Sequence, residues 1–552
     1  MNNFFFKYKL NYILLFLIAF FFFFWLQNSQ TFADPDSFYH AKMALLMKDQ
    51  GIIQNFPWLQ FTTLKNLYID HHLLYHVFLI PFVIFGDPLF GTKLASVLFA
   101  ALLITVVHWF LKSFKIKGSI FYCLSLLLIN PFIFRINLAK APVWSSIFLI
   151  IALSFLFRRK IWPLFFISIF YVWLYGGWPL MLAFTVIFLV VNTINDLWHE
   201  LNQRSLDLVI ENNIIDGQEI ILIKSEERIP AAIGFREFIV LFLARFFSGI
   251  NLKLLVANIS GLLASLIVNP YFPKNLFFYW EQTIKIGLIN AQNTISVGAE
   301  WYPYKLFDFV SGANLIFILL LLALTMFIVG YKKQNIYSWT LFFISLFFFI
   351  FTLKSRRNVE YFVPFVVIFS AFALNNFFHY VDFYEYWSWF KKLSRIKKFL
   401  SFVLVLYMVI AIVFISERDI ISARKDLTGG FAWGKMEKAG QWLASNTPKD
   451  SIIFHNNWDE FPLLFYYNTH NFYIVGLDPT FMYDYNKELY WEWYNIVVGK
   501  DKENLNQKVK SDFKASYVLW ATERTKVEDS FAKSFGFKIL YSDDEVKIYQ
   551  VL

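Results

Sequence analysis

The chain has 552 residues, of which 58% are hydrophobic and 21% aromatic, with a formal net charge of +10 and one cysteine, Cys123. So much apolar surface exceeds what a water-soluble core buries, and a single cysteine excludes a disulfide framework and a thiolate metal centre. The positive charge does not point to nucleic acid, because the basic residues gather at the ends of apolar segments, where they act as topology signals and meet anionic headgroups.

In chain order, the apolar segments 8–27, 88–111, 118–134, 142–157, 161–176, 177–194, 251–269, 310–330, 336–353, 359–378 and 398–416 read as membrane crossings. The phenylalanine run Phe20 to Phe24 in the first locates membrane, not chemistry. That segment has no small-residue cleavage pattern and is expected to stay as a first helix. The stretch 71–86, "HHLLYHVFLIPFVIFG", is expected to lie at the outer interface. Counted as a crossing, it would put Lys112, Lys115 and Lys117 outside, against the positive-inside rule. The resulting map places the amino terminus in the cytoplasm and the carboxyl terminus outside.

Between 195 and 235 lies a polar cytoplasmic insertion with an expected hairpin turn at Asp216-Gly217, followed at 234–249 by an amphipathic helix. After about 417 the hydropathy falls. A globular α/β tail is expected there, with a helix near 434–445, a strand at 451–454 and a final hairpin through Ser542-Asp543-Asp544. The domains are therefore a membrane domain, 1–416, with outer loops at 28–87 and 270–308, and an extracytoplasmic domain, 417–552.

On this map the unusual polar residues share the outer side. "TFADPDSFYHAK" carries Asp34 and Asp36, "NTISVGAEWYPY" carries Glu300, and "LKSRRNVEYF" carries Lys354, Arg356 and Arg357. Outer cations do nothing for topology, and the planar fork of arginine matches phosphate oxygens; ordinary snorkelling to headgroups is the plainer reading. Two carboxylates at i and i+2 suit a divalent cation or an acceptor nucleophile, whereas a helix N-cap needs only one. His72 and His76, at i and i+4, share a helix face and are a weak zinc signal; contact with a donor headgroup or interfacial anchoring suits His71 and His72 better.

These stretches together resemble a known family. "FADPDSFYHAK" is similar to the first outer-loop motif of oligosaccharyltransferase catalytic subunits of bacterial and archaeal type, "ISVGAEWYPY" to their Ser-Val-x-Glu loop, and "YGGWPLML" to the opening of a glycine-aromatic span. "WGKMEKAGQWLASNTPKDSIIFHNNWDEFPLLFYYN" resembles the start of their soluble domain. The resemblance implies a mainly α, polytopic GT-C fold of about 11 to 13 spans with a C-terminal α/β domain. It also implies a plasma (inner) membrane location, a polyprenyl-linked sugar donor, a protein or glycan acceptor, and a divalent cation, Mg2+ or Mn2+.

By the same resemblance Asp34 is expected to match the catalytic first-loop carboxylate, Glu300 the loop acid near metal and acceptor, Arg356 or Arg357 the donor-phosphate site, and Trp458 and Asp459 part of the acceptor-reading signature. From their placement on the outer face, Asp36 is added as a supporting catalytic or metal-binding acid, and Lys354, His71 and His72 as donor-phosphate contacts. Two departures stand out. The second outer loop, "RINLAKAPVWSS", has Lys140 where the family has acids, so either Asp36 supplies the missing oxygen or Lys140 replaces the cation. "NNWDEFP" keeps Trp-Asp but lacks the Tyr-Gly that shapes a Ser/Thr pocket. A transporter or binding protein for lipid-linked saccharides is the alternative; spans nearly free of ionisable groups favour chemistry at one interface.

Overall fold

A computed structural model describes residues 2–204, 209–215, 218–224, 234–289, 291–379, 388, 390–522, 529–532 and 534–552. Each expected crossing is helical, because in hydrocarbon only a helix or a closed barrel satisfies its own backbone polar groups. Six helices are long and apolar enough to cross a bilayer: Pro88–Ser113, Pro179–Leu201, Gly249–Ile267, Ile336–Lys354, Arg356–His379 and Arg395–Thr428. The number rises to eight if two bent pairs each count as one crossing. The first helix, Asn2–Leu26, is long enough to cross, whereas Pro142–Phe157 and Ile161–Leu174 are apolar but shorter. At 1.5 Å per residue these two reach about 21–24 Å, less than the roughly 30 Å hydrocarbon core.

The bends position the site. The expected crossing at 118–134 is two helices, Ser119–Leu126 and Asn130–Ile136, at 79°, the second opening on Pro131. The one at 310–330 is likewise broken, Leu306–Gly312 meeting Asn314–Val329 at 97°. The last membrane helix, Arg395–Thr428, continues past the expected boundary at 416 and ends at the pair Gly429-Gly430. Polarity changes at 416, but the local sequence stays helix-compatible and the helix runs on across that change.

The 71–86 stretch forms the helix Leu73–Val83 and is packed into the protein, with Tyr75, His76, Leu79 and Val83 buried. Gly91 lets the next helix approach it closely: a Cβ there would lie 1.9 Å from the Phe82 carbonyl oxygen. In the insertion, strands Val209–Ile215 and Gln218–Lys224 pair antiparallel, as a hairpin requires. The turn residues Asp216 and Gly217 lie outside the described residues. The amphipathic segment after them is the helix Phe235–Phe246.

The tail carries a five-stranded sheet in the order Phe472–Tyr473, Ile452–His455, Tyr517–Ala521, Val546–Val551, Phe537–Ser542. The first three strands run parallel and the last pairings are antiparallel, ending in the expected hairpin. The tail is fastened to the first loop at two places, only the second of them on this sheet. Thr31–Phe32 pairs antiparallel with Phe431–Ala432, and Leu59 bridges to the edge residue Tyr473. An edge strand's unpaired backbone groups are thereby covered, and the tail is seated over one end of the helix bundle.

Candidate active site

Under the tail lies a cavity of about 340 Å3. Its polar walls include Asp36, Lys140, Glu300 and Arg357; its apolar walls include Leu180, Ala183, Phe347 and Phe351 from two membrane helices. Leu477, Asp478 and Phe481 of the tail close it from above. Its walls therefore come from segments some 440 positions apart, gathered at the tail end of the bundle.

Lys140 stands at the centre of the polar end. Its Nζ is 2.9 Å from Asp34 Oδ2, 2.9 Å from Asp36 Oδ2 and 3.7 Å from Glu300 Oε2. Asp34 Oδ1 meanwhile accepts the Asp36 backbone N–H at 2.9 Å, opening the helix Asp36–Gln50. One carboxylate thus serves both as helix starter and as partner to the lysine. The short helix before Lys140 ends at Ile136, and Lys140 N–H donates to the Leu138 carbonyl at 2.8 Å, so a tight turn delivers the ammonium to the acids.

Burial pushes the Asp36 carboxyl up to about 6, against the pull of Lys140 and with help from the nearby Asp34 charge. Burial alone would raise Glu300 as well, but Lys140, Arg135 and Arg357 together hold it well below the usual carboxylate range. Lys140 is held charged: burial disfavours the ammonium, and the three acids outweigh that cost.

Glu300 is fixed from several sides. Arg135 Nη1 donates to its Oε2 at 2.5 Å, Arg357 Nη1 is 3.5 Å from its Oε1, and Ser355 Oγ donates to its backbone carbonyl at 3.0 Å. Arg135 also donates through Nε to Glu360 Oε2 at 2.9 Å, an ion pair in which both residues are buried. Sequence reasoning passed over Arg135 and Glu360. The signal was there, since an ionisable residue within an apolar segment is by default functional or paired.

Of the three expected phosphate-binding cations, the structure brings only Arg357 into the cavity. Its guanidinium lies 4.3 Å from the Trp301 ring centroid, and Nη2 donates to Tyr175 Oη at 3.4 Å. Arg356, next to it on the same 3-10 turn, is exposed; its Nε donates to the Pro303 carbonyl at 3.3 Å and its guanidinium covers Tyr304. Lys354 is exposed at the end of its helix. His71 and His72 both line the cavity, and the His72 ring is stacked on Tyr175. Burial pulls the His71 imidazole down to about 4, so it meets a ligand uncharged at neutral pH. Trp458 and Asp459 lie in a 3-10 turn of the tail outside the cavity walls, with the Trp458 ring packed beside Gly298, two residues from Glu300.

A divalent cation would draw its oxygens from Asp34, Asp36 and Glu300. Those oxygens do not fit one while Lys140 stands between them, because the ammonium already fills the position that a shared cation needs. Nor does any other group of three or more His, Cys, Asp or Glu among the described residues have an arrangement that could hold a metal.

No family model matches the sequence, and no curated protein does. The fold has solved counterparts. The archaeal oligosaccharyltransferase AglB from Archaeoglobus fulgidus, in complex with an inhibitory peptide and a dolichol-phosphate, aligns over 93% of this chain and 69% of its own, at 13% identity and a TM-score of 0.58. ArnT from Cupriavidus metallidurans, bound to undecaprenyl phosphate, aligns over 97% of each chain at 12% identity and a TM-score of 0.52. The mycobacterial arabinofuranosyltransferase AftD aligns over 98% of this chain and 40% of its own, at 10% identity and 0.53. The chain has the GT-C fold: a multi-pass membrane bundle carrying a C-terminal α/β domain.

Proposed function

We propose that this GT-C-fold protein is a membrane glycosyltransferase that moves a sugar or oligosaccharide from a polyprenyl-(di)phosphate-linked donor to an acceptor at the extracytoplasmic face. The observation that carries the reading is one cavity lined by Asp36, Lys140, Glu300 and Arg357, with Asp34 tied to the same Lys140 ammonium behind them and an apolar wall of membrane-helix side chains. Structural neighbours whose descriptions name dolichol-phosphate and undecaprenyl phosphate support a polyprenyl phosphate as the ligand.

The division of labour follows from charge. Arg357, with the uncharged His71 and His72 alongside, receives the donor phosphate and stabilises the negative charge that grows on it as the sugar departs. Leu180, Ala183, Phe347 and Phe351 offer the first prenyl units an apolar surface. Lys140 takes the role of a divalent cation, holding Asp34, Asp36 and Glu300 in one rigid arrangement around the reacting centre. Trp458, and Asp459 beside it, stand on the tail where an acceptor approaches. The ionisable residues crowd this end instead of marking a path along the bundle, which favours chemistry over transport.

The test is transfer of radiolabelled sugar from undecaprenyl-phosphate- and undecaprenyl-diphosphate-linked donors in membranes containing the protein. Asp34→Asn and Arg357→Ala are expected to abolish transfer while the protein remains folded and membrane-inserted. Full transfer in both variants would rule out these assignments.

A further inference from the structure

Behind the acids lies a second polar chain that the proposed function does not use. His76 Nδ1 is 2.7 Å from Asp70 Oδ2, and His76 Nε2 is 2.7 Å from His40 Nδ1. All three residues are buried, at 4% exposure for Asp70, 0% for His76 and 3% for His40. Asp70 is fixed in turn, its Oδ1 accepting the His72 backbone N–H at 3.0 Å. With both ring nitrogens engaged, His76 has no lone pair for zinc, which disposes of the i, i+4 metal reading.

The direction of the chain follows from its end. A carboxylate only accepts, so His76 Nδ1 carries the proton toward Asp70. With one proton in each contact of the chain, His76 accepts at Nε2 and His40 donates from Nδ1. That leaves the lone pair of His40 on Nε2. His40 lines the cavity, and no protein group among the described residues is hydrogen bonded to that nitrogen. His40 stands four residues after Asp36 on the same helix, hence on the same face and about 5–6 Å away between Cβ atoms.

Resting on the glycosyl-transfer reading, we propose that His40 is the general base for a hydroxyl acceptor, with His76 and Asp70 as its proton relay. The acceptor oxygen forms its bond to the anomeric carbon as the bond from that carbon to the donor phosphate oxygen breaks. The hydroxyl proton goes to His40 Nε2, the His40 Nδ1 proton goes to His76 Nε2, and the resulting imidazolium is paired with Asp70. The electron pair leaves with the phosphate, which Arg357 faces.

The groups around His40 suit this role. Burial, His76, Lys140 and His71 keep its imidazole well below the ordinary range, so it rests uncharged at physiological pH with a lone pair open to an incoming proton. Tyr39, His72 and Tyr75 enclose the ring with edge-on contacts. A proton left on Asp36 would stay beside the Lys140 ammonium, whereas a proton taken by His40 moves away from it. An imidazole also matches a hydroxyl whose acidity rises as the new bond forms.

The experiment is steady-state transfer with undecaprenyl-linked donors, comparing wild type with His40→Gln and Asp70→Asn. His40→Gln is expected to lower kcat by about 10²–10⁴-fold, with donor KM and undecaprenyl phosphate binding within about threefold. Wild type is expected to show a normal solvent deuterium isotope effect with a bowed proton inventory, from more than one proton in flight, and an O-glycosidic product. In Asp70→Asn the acid limb of the kcat–pH profile moves, an effect that a merely structural role would not give. If His40→Gln fails to fold, the wild-type proton inventory still decides, and a linear one overturns the relay. Unchanged kcat in His40→Gln, or a product linked through a carboxamide nitrogen, overturns the inference while leaving glycosyl transfer intact. A wild type that transfers nothing from any of these donors overturns both.

Discussion

Replacing Lys140 with alanine is expected to create a metal site that the wild-type protein lacks. A divalent ion ligated by the Asp34 and Asp36 oxygens would sit about 2.1 Å from them, while Lys140 Nζ stands 2.9 Å from the same oxygens. Ion and ammonium would then be separated by no more than about 5 Å. At an effective dielectric constant of about 20, a double and a single positive charge at that distance repel by roughly 6–7 kcal/mol. That is a factor of about 10⁴ or more in affinity.

Removing the ammonium lifts the repulsion and leaves three carboxylates facing one another. Lys140→Ala should therefore bind Mn2+ in calorimetry or by loss of the free-ion paramagnetic resonance signal, and Mn2+ should raise its thermal stability. Without metal the variant should be less stable, because part-buried carboxylates are left facing one another with no cation between them. Wild type should bind no Mn2+ at comparable concentrations, and its transfer activity should survive a chelator. Tight Mn2+ binding by wild type that Asp34→Asn abolishes would refute the reasoning, as would a Lys140→Ala protein with no affinity for the ion.

Arg357→Ala should weaken undecaprenyl phosphate binding about 10–100-fold, the worth of a hydrogen bond to a charged group, whereas Arg356→Ala should change it by no more than about threefold; binding titrations on the two variants compare neighbours in sequence. Arg135→Met should destabilise by about 3–5 kcal/mol by stranding the buried Glu360, and Arg135→Met/Glu360→Gln should recover much of the loss in denaturant or thermal unfolding. Stability should also depend on pH through Asp36. Its carboxyl is raised to about 6, so the folded state holds its proton more tightly than the unfolded chain does, and that contribution, complete below about 4, is lost as pH rises toward 6. Glu300, held low, acts in the opposite sense, losing its contribution as pH falls below its ordinary range. Unfolding followed from pH 4 to 7 should lose the Asp36 slope in Asp36→Asn and keep it in Glu300→Gln.

Composition and local pattern made much of this protein legible. Runs of apolar residues fixed where helices form, because the need to satisfy backbone groups in lipid acts on each segment separately. The final hairpin and the acids Asp34, Asp36 and Glu300 could likewise be picked out from local sequence, as could the anomaly of Lys140 where a relative would carry acid. Even the bends at 127–129 and at Ala313 left traces, in Pro131 and Gly312.

What tertiary structure decided is who faces whom. Arg356 and Arg357 are indistinguishable in sequence, yet one turn of 3-10 helix sends the first to the Pro303 carbonyl and the second into the cavity. Lys140 meets Asp34 and Asp36 across a hundred residues, Arg135 meets Glu360 across 225, and His76 joins His40 to Asp70 only because two short helices pack side by side. Helical periodicity tells which residues share a face of their own segment. It carries no information on which face another segment will bring against it, and the charges of this site are all paired between segments.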